Sequence, residues 1–163
     1  MTAALLIYVI VERLAELVIA NRNTRRLLAR GAHEVGASHY RYIVGLHVAW
    51  LAAIVGWVAW TAPQVSSPPL VLYLILQSLR LWVIASLEPY WTTRIITLPE
   101  APLVKSGPYR FLRHPNYVVV VLEIATLPLV FGAWHLAVIF SLLNAAVIWV
   151  RVRAESAALR ARS

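Results

Sequence analysis

The segment from Lys105 to Tyr117 carries the densest set of side chains that could do chemistry. Gly107-Pro108 predicts a turn. Pro115 suits the first position of a helix and disfavours helical geometry at the residue before it, so a helix is predicted to begin there. Its N-terminus would present unpaired N–H groups beside Arg113 and His114, which favours a carboxylate or phosphate as ligand. The simpler interpretation is that these cations contact lipid headgroups.

A second polar group follows the last apolar stretch of the chain. Arg151 and Glu155 are four residues apart, so they share one face of a helix. The stretches 115–131 and 134–150 have nearly equal lengths, and at about 1.5 Å per residue a helical hairpin would return Glu155 to the level of His114. Arg151 and Glu155 could form a simple ion pair. The functional interpretation is a pocket with donors for an anion, a carboxylate for an ammonium or hydroxyl group, and aromatic rings for a planar base.

Composition assigns the chain to the membrane proteins. It has 163 residues, 61% apolar and only 13% charged, with mean hydropathy +0.71. A soluble domain carries nearly twice that charged fraction, so a soluble domain and a disordered chain are both excluded. The chain contains no Cys, which excludes disulfides, thiolate metal sites and cysteine nucleophiles. No ligand cluster suggests a metal.

Five stretches are long and apolar enough to span a bilayer, which takes about 20 residues each. The predicted fold is an all-α integral membrane protein with one domain over residues 1–163, five transmembrane helices, a C-terminal helical hairpin and a cytoplasmic cofactor pocket. The first stretch has charged residues in its middle and no basic leader, so it is predicted to be a retained helix. The predicted spans are 2–20, 42–62, 69–87, 115–133 and 134–150.

The basic residues predict the orientation. Of the 15 Lys and Arg residues, all except Arg13 and Arg80 fall between the first and second spans, between the third and fourth, or in the tail. With five spans these segments share one face, which the positive-inside rule makes cytoplasmic, with the N-terminus outside. The net charge of +8 then reflects topology and attraction to anionic lipid rather than nucleic-acid binding.

Polar residues at membrane depth are costly and tend to face protein or water. Taken together they favour a polar cavity, although each could simply pair with another and hold the helices together. They are Glu12, Glu16, His47, Arg80, Glu123 and Asn144.

The C-terminal third of the chain resembles the isoprenylcysteine carboxyl methyltransferase family. The family pattern is Gly-Pro-Tyr-Arg, then Arg-His-Pro-x-Tyr, then a helical hairpin ending in Arg-Ile-x-x-Glu-Glu-x-x-Leu. Two features differ: Ser156 replaces the second Glu, and the tail ends at Ser163, whereas longer members continue with an amphipathic element. The matching segments are Gly107-Pro108-Tyr109-Arg110, Arg113-His114-Pro115-Asn116-Tyr117 and the segment from Arg151 to Leu159.

The rest of the chain is similar to a small bacterial branch of that family, associated with O-methylation of alkylpyrones and phenolic lipids made by type III polyketide synthases. The segments that carry this similarity are Glu12-Arg13, Ala20-Asn21-Arg22-Asn23, Gly31-Ala32-His33-Glu34, Gly36, His39-Tyr40, His47 and Trp91-Thr92-Thr93-Arg94.

The resemblance implies transfer of a methyl group from S-adenosylmethionine to an oxygen of a lipid-tailed acceptor that enters from the bilayer. The acceptor contacts are expected at His47, Trp91 and Arg94. The cofactor-binding residues implied by the motifs are Tyr109, Arg113, His114, Pro115, Tyr117 and Glu155.

The type of acceptor decides whether a base is needed. An acceptor that is already ionised, such as a carboxylate or an acidic pyrone enol, needs only an orienting cation, for which Arg151 and Arg94 are candidates. A phenol, with a reference pKa of about 10, gains from a general base. Glu123 is the first candidate base, followed by Glu155 and His47.

Three alternatives remain open. A haem protein would use two His deep in facing helices, whereas only His47 is deep and His114 and His135 lie at span ends. A lipid-binding or scaffold subunit would use the polar residues as braces and would not bind S-adenosylmethionine. Among enzymes, the alternative is carboxyl methylation of a prenylated thiol acid.

Overall fold

The computed structural model describes residues 2–99, 101 and 103–160, so the end of the tail at Ser163 lies outside the described residues. Within that part the chain forms five α-helices and two short strands. In order these are α1 (Thr2–Ala29), β1 (His33–Val35), α2 (Ala37–Thr61), α3 (Ser67–Leu87), β2 (Ile95–Thr97), α4 (Pro115–Val130) and α5 (Trp134–Arg160), with 3₁₀ turns at Glu88–Tyr90 and Gly107–Arg110.

The helices match the predicted stretches in order and number, but several ends differ. Helix α1 runs to Ala29 and α5 to Arg160, because neither contains a Gly or Pro that would end the helix where the apolar stretch ends. Helix α4 begins at Pro115 as predicted and ends at Val130, before Gly132, which adopts φ of 68° in the turn to α5. The extra turns of α1 and α5 carry polar residues beyond the apolar stretches.

Three helices of the described chain are long and apolar enough to cross a membrane, over 40–61, 67–90 and 134–158. Helix α4 is apolar but has only 16 residues, about 24 Å at about 1.5 Å per residue. Helix α1 is long enough but interrupted by Glu12, Arg13 and Glu16. Length and composition therefore give three candidate membrane spans among the described residues, as expected for a membrane protein.

Helix α4 lies at the centre of the helices. Ten of its 16 residues are buried, so it is enclosed on most sides although it is the shortest helix. Two tryptophans of α2 donate indole hydrogen bonds to it and to the turn that follows: Trp50 to the carbonyl of Ile124 at 3.2 Å, and Trp57 to that of Phe131 at 2.9 Å. These contacts fix the level of α4 relative to α2.

An ion cluster joins α1, α3 and α4. The carboxylate of Glu123 accepts hydrogen bonds from Arg80 through Nε at 2.8 Å and through Nη2, from Gln77 at 2.9 Å and from Arg13 at 3.3 Å. Arg13 and Arg80 also pair with Glu16, at 2.9 and 3.4 Å. Burying a charge is costly unless it is paired, so these contacts explain how α1 can pack charged residues against α3 and α4.

A two-stranded antiparallel sheet joins the α1–α2 connection to the α3–α4 connection. The register pairs His33 with Thr97, Glu34 with Ile96 and Val35 with Ile95. An all-α prediction misses this sheet, because strands of three residues show no alternating pattern and their partners lie far apart in the sequence. Both strands contact α5, and β2 also contacts α1.

Candidate functional site

A cavity of about 370 Å³ lies where the start of α4 and the end of α5 meet the α3–α4 connection. Its volume falls in the range of small-molecule sites, about 300–1,000 Å³. One wall is apolar and comes mainly from β2 and the residues after it. The polar and aromatic residues that line the cavity are Tyr90, Trp91, Thr92, Arg94, Thr97, Lys105, Tyr109, Arg113, His114, Asn116, Tyr117, Arg151 and Glu155.

Tyr117, Arg151 and Glu155 form a connected set at the cavity. The Tyr117 hydroxyl donates a hydrogen bond to Oε2 of Glu155 and accepts one from Nε of Arg151 at 2.8 Å. A second guanidinium nitrogen, Nη2 of Arg151, donates to the backbone carbonyl of Thr93 at 2.6 Å. The hairpin therefore brings the end of α5 to the start of α4, as the equal lengths of the two stretches predict.

His114 lies between two residues of α5. Its Nδ1 is 3.7 Å from Oε1 of Glu155, and its Nε2 is 3.1 Å from the hydroxyl of Ser156. The ring lies 5.6 Å from that of Tyr117, centroid to centroid. Ser156, the residue that departs from the family pattern, thus holds the far side of the imidazole. Pro115 is buried at the first position of α4 and does not line the cavity.

Gly107 sets the position of Tyr109. Its φ is 56°, and an added Cβ would lie 2.0 Å from Oγ of Ser86 and 3.2 Å from Nε1 of Trp82. A residue without a side chain is therefore needed for the 3₁₀ turn to pack against α3. Tyr109 then packs against Trp91 and its neighbours. Burial and the charge of Glu155 raise the pKa of Tyr109.

Trp91 is anchored from α1. Its side chain packs with Ala20 and Val83, and it is only 3% exposed. Asn23, which is also buried, donates through Nδ2 to the backbone carbonyls of Trp91 at 2.9 Å and Glu88 at 3.2 Å. The extension of α1 beyond the apolar stretch thus positions one wall of the cavity.

Arg94 lines the cavity but is paired outside it. Its Nη1 donates to Oε2 of Glu34 at 2.8 Å, and its guanidinium lies 4.7 Å from the ring centroid of Tyr40. The hydrogen bond that Arg94 donates to Glu34 raises the pKa of Arg94. Because one donor faces Glu34, Arg94 is less free to orient an acceptor than the sequence suggests.

Two predicted site residues lie away from the cavity. Glu123 is about 9 Å further along α4 than Tyr117, and its carboxylate is held by Arg80 in the ion cluster, so the structure does not place it as a base for a ligand in this cavity. His47 contacts the carbonyl of Ile43 at 2.9 Å within α2 and lies edge-on to Trp50. Helix packing rather than cavity access accounts for both positions.

Several cavity or supporting residues were not predicted from single motifs. Glu34 and Tyr40 lie in segments that are similar to the small bacterial branch of the family, and nothing local in the sequence indicates that they face Arg94. Thr93 contributes a backbone carbonyl, which no sequence pattern reveals. Lys105 and Asn116 also line the cavity, and the signal for them in the sequence is their position beside the Gly107-Pro108 turn and Pro115.

The site combines three kinds of contact. Cationic groups are supplied by Arg113 and Lys105, which are exposed and have no hydrogen-bond or ion-pair partner among the described residues. Glu155 is the one acidic residue among the described residues of the lining. Tyr109, Tyr117 and Trp91 supply aromatic surface. A ligand with a carboxylate, an ammonium or hydroxyl group, and a planar ring fits this set.

One comparison with known proteins identifies a family, and another finds two uncharacterized relatives. The profile of the isoprenylcysteine carboxyl methyltransferase (ICMT) family matches residues 69–161, which contain most of α3, all of α4 and α5, and the cavity motifs. The protein YpbQ of Bacillus subtilis (strain 168), described as uncharacterized, is 40% identical over 159 residues, 96% of this chain and 95% of that protein. An uncharacterized protein of Haemophilus influenzae is 27% identical over 151 residues, 90% and 88% of the two chains. No solved structure matches.

The profile covers more than half of the chain, including every helix that contributes a side chain to the cluster of His114, Tyr117, Arg151 and Glu155. Its description is that of a methyltransferase family, and the apolar helices are those of an integral membrane protein. This chain therefore belongs to the isoprenylcysteine carboxyl methyltransferase family.

Proposed function

We propose that this protein is an S-adenosylmethionine-dependent O-methyltransferase of the bacterial cytoplasmic membrane whose acceptor is a lipid-tailed molecule. The observation that carries the proposal is the hydrogen-bonded set of Tyr117, Arg151 and Glu155 beside His114, at a cavity of small-molecule size. The favoured acceptor is a type III polyketide product, either an alkylpyrone or a phenolic lipid.

The lining residues suit the cofactor. A carboxylate group would be held by Arg113, and an ammonium or ribose hydroxyl by Glu155, the acid of the described lining. Tyr109 and Tyr117 offer rings for a planar base, and both rings are held in place by packing or hydrogen bonds. Charge-assisted hydrogen bonds of this kind are about twice as strong as neutral ones. We therefore assign cofactor binding to Tyr109, Arg113, His114, Tyr117 and Glu155, with Pro115 fixing the helix start.

Catalysis would come mainly from positioning. When bound, S-adenosylmethionine supplies a methyl group that an acceptor oxygen takes, while the electrons of the broken C–S bond stay on sulfur. The chain's task is to hold that oxygen in line and keep water out, which is the kind of effect that orientation supplies. Arg151 is fixed by Tyr117 and Thr93 and is the cation we assign to orient the acceptor oxygen. Trp91 would form part of the acceptor wall.

The surroundings of Glu155 favour an acidic acceptor. Glu155 accepts the Tyr117 hydroxyl and lies beside His114, so this acid is engaged before any ligand arrives. Glu123 and His47 do not line the cavity. An acceptor that is ionised in solution needs no base, which favours an acidic pyrone enol, or a carboxylate, over a phenol. Carboxyl methylation of a prenylated thiol acid is the second candidate. It is favoured for the same reason, because Glu155 is already hydrogen-bonded and a carboxylate acceptor needs no base.

We further propose that all five helices span the bilayer, with the N-terminus outside and the cavity facing the cytoplasm. The ion cluster supports the insertion of α1, because Glu16 pairs with Arg80 and Arg13 pairs with Glu123. Arg80 and Glu123 also pair with each other. The basic segments support the orientation. S-adenosylmethionine is a cytoplasmic metabolite, so this orientation would give the cofactor direct access to the cavity.

Methyl transfer tests the proposal directly. Purified protein in detergent would be incubated with S-adenosylmethionine carrying a labelled methyl group and with one of three acceptors: an alkylpyrone, an alkylresorcinol or a prenylcysteine. We expect labelled lipid product from the alkylpyrone, and loss of that product in Glu155→Gln. Arg153→Gln, an exposed change on the same helix outside the cavity lining, is the matched control and should retain activity. Product only from the prenylcysteine would support the second candidate, and no product from any acceptor would count against the proposal.

A further inference from the structure

We infer that Glu34, on strand β1, is a positioning residue for the candidate site, acting through Arg94 and Thr93 to fix the guanidinium of Arg151. Glu34 does not line the cavity, so any effect on a ligand there must be transmitted through other residues. The inference rests on the proposed function, because it concerns how the same cavity holds its ligands.

The first part of the connection runs from β1 to the segment before β2. Oε2 of Glu34 accepts a hydrogen bond from Nη1 of Arg94 at 2.8 Å. The Arg94 guanidinium lies over the ring of Tyr40, 4.7 Å from its centroid. The Tyr40 hydroxyl is 3.0 Å from Oγ1 of Thr93. An ion pair, a cation–π contact and a hydrogen bond therefore converge on Arg94 and the residue before it.

The second part runs from Thr93 into the site. The Thr93 carbonyl accepts from Nη2 of Arg151 at 2.6 Å, while Nε of Arg151 donates to Tyr117 at 2.8 Å. A guanidinium is planar and its donors form a fixed fork, so two such bonds set its orientation. Arg151 is 9% exposed, which leaves it little room to adopt another position. A shift of the Thr93 carbonyl would consequently turn the cation that faces the cavity.

The backbone around Thr93 needs this side-chain support. The β1–β2 sheet has two strands and three residue pairs, and an isolated two-stranded sheet is marginally stable. Strand β1 lies between Gly31 and Gly36, which both adopt positive φ, at 88° and 68°, so a turn bounds it on each side and only three residues pair with β2. The contacts of Glu34 and Tyr40 therefore determine where this wall of the cavity lies.

The Glu34–Arg94 ion pair links two connecting segments that lie far apart in the sequence. Glu34 belongs to the connection between α1 and α2, and Arg94 to that between α3 and α4, yet they form one ion pair. We assign Arg94 a positioning role in place of the acceptor-orienting role that its charge suggests. Arg151 remains the cation that faces the ligand.

A double-mutant cycle on binding of S-adenosylhomocysteine tests the inference without needing an acceptor, because Arg151 also donates to the hydroxyl of Tyr117, which we assign to cofactor binding. Glu34→Gln removes the charge of the pair, and Tyr40→Phe removes the hydroxyl that contacts Thr93. We expect Glu34→Gln to weaken binding about three- to tenfold, in keeping with the modest strength of a partly exposed ion pair. In an Arg151→Lys background, which lacks the planar fork of the guanidinium, Glu34→Gln should weaken binding no further. Tyr40→Phe should likewise weaken binding in the wild-type background and not in the Arg151→Lys background. Glu88→Gln, an exposed charge removal in the same connection as Arg94, should bind like the wild type.

Each outcome is decisive. Equal losses for Glu34→Gln in both backgrounds would show that the pair acts independently of Arg151 and would overturn the inference, as would unchanged binding in the wild-type background. Thermal unfolding of every variant separates a local effect from loss of the fold. If folded wild-type protein does not bind S-adenosylhomocysteine at all, the proposed function fails and the inference fails with it; binding without coupling removes the inference alone.

Discussion

The hydroxyl of Tyr117 donates a hydrogen bond to the carboxylate of Glu155 and so joins the start of α4 to the end of α5. Arg151 donates to the same hydroxyl from one turn earlier on α5. The tyrosine therefore sits between a cation and an anion, and its hydroxyl sets the distance between two helix ends. The positions of Glu155, His114 and Arg151 in the cavity lining depend on this contact, because all three side chains lie at the two helix ends that it joins.

Replacing Tyr117 by Phe should weaken cofactor binding more than it weakens the fold. The change leaves Glu155 and Arg151 without their common partner, and a lost hydrogen bond to a charged group costs about 1.5–3 kcal/mol. We expect the dissociation constant for S-adenosylhomocysteine to rise by about ten- to a hundredfold. Calorimetric titration measures this change. Tyr42→Phe, an exposed tyrosine on α2, is the control, and an equal loss there would point to a general effect of the substitution.

His114→Ala and Glu155→Ala should each weaken cofactor binding while the protein still folds. Both side chains line the cavity at the helix ends, and neither belongs to the apolar core that packs α4 against the other helices, so we expect the fold to persist without either. The same titration, together with the midpoint of thermal unfolding in detergent, measures the two effects separately. Unchanged affinity in both variants would mean that the cavity does not bind the cofactor in the proposed way.

Gly107→Ala should disturb the site through the fold. An added Cβ would meet Oγ of Ser86 at 2.0 Å, and the left-handed conformation costs a non-glycine residue about 1–2 kcal/mol. We expect a lower unfolding midpoint together with weaker binding, because Tyr109 would move with the turn. Gly45→Ala, in α2 with nothing within 4 Å of the added atom, should be neutral or stabilising. If Ser86→Ala fails to restore any of the loss in Gly107→Ala, the steric explanation is wrong.

Glu123→Gln should lower stability rather than abolish chemistry selectively. The change removes the negative partner of Arg80 and Arg13 inside the ion cluster, and breaking one side of a buried pair costs about 3–5 kcal/mol. Thermal unfolding should show a clear decrease, while the affinity of the remaining folded protein for S-adenosylhomocysteine stays close to the wild-type value. A variant that unfolds normally and binds normally but transfers no methyl group would instead identify Glu123 as a base.

Cysteine labelling can test the proposed orientation, because the natural chain has no Cys. A single cysteine introduced as Gln64→Cys lies in the exposed turn between α2 and α3, and one introduced as Arg30→Cys follows α1. We expect a membrane-impermeant maleimide added to intact cells to label the first and to reach the second only after the membrane is opened. The reverse pattern would contradict an external N-terminus with a cytoplasmic cavity.

The sequence predicts those features that depend on local chemistry. Pro115 identifies the start of α4, the equal lengths of two stretches predict that Glu155 returns to His114, and apolar length locates the helices. Contacts between distant segments are not encoded in that way. The sequence favours Glu123 as a buried base, but in the structure Arg80 donates hydrogen bonds to its carboxylate. The pairing of Glu34 with Arg94 depends on a sheet whose strands are too short to show an alternating pattern in the sequence.

The most direct measurement is a calorimetric titration of detergent-purified protein with S-adenosylhomocysteine, carried out on the wild type, Glu155→Gln and Arg153→Gln. The account predicts saturable binding near one site per chain in the wild type and in Arg153→Gln, with binding at least tenfold weaker in Glu155→Gln, where the acid of the described cavity lining has lost its charge. Absence of binding by well-folded wild-type protein, or equal binding by Glu155→Gln, would contradict it.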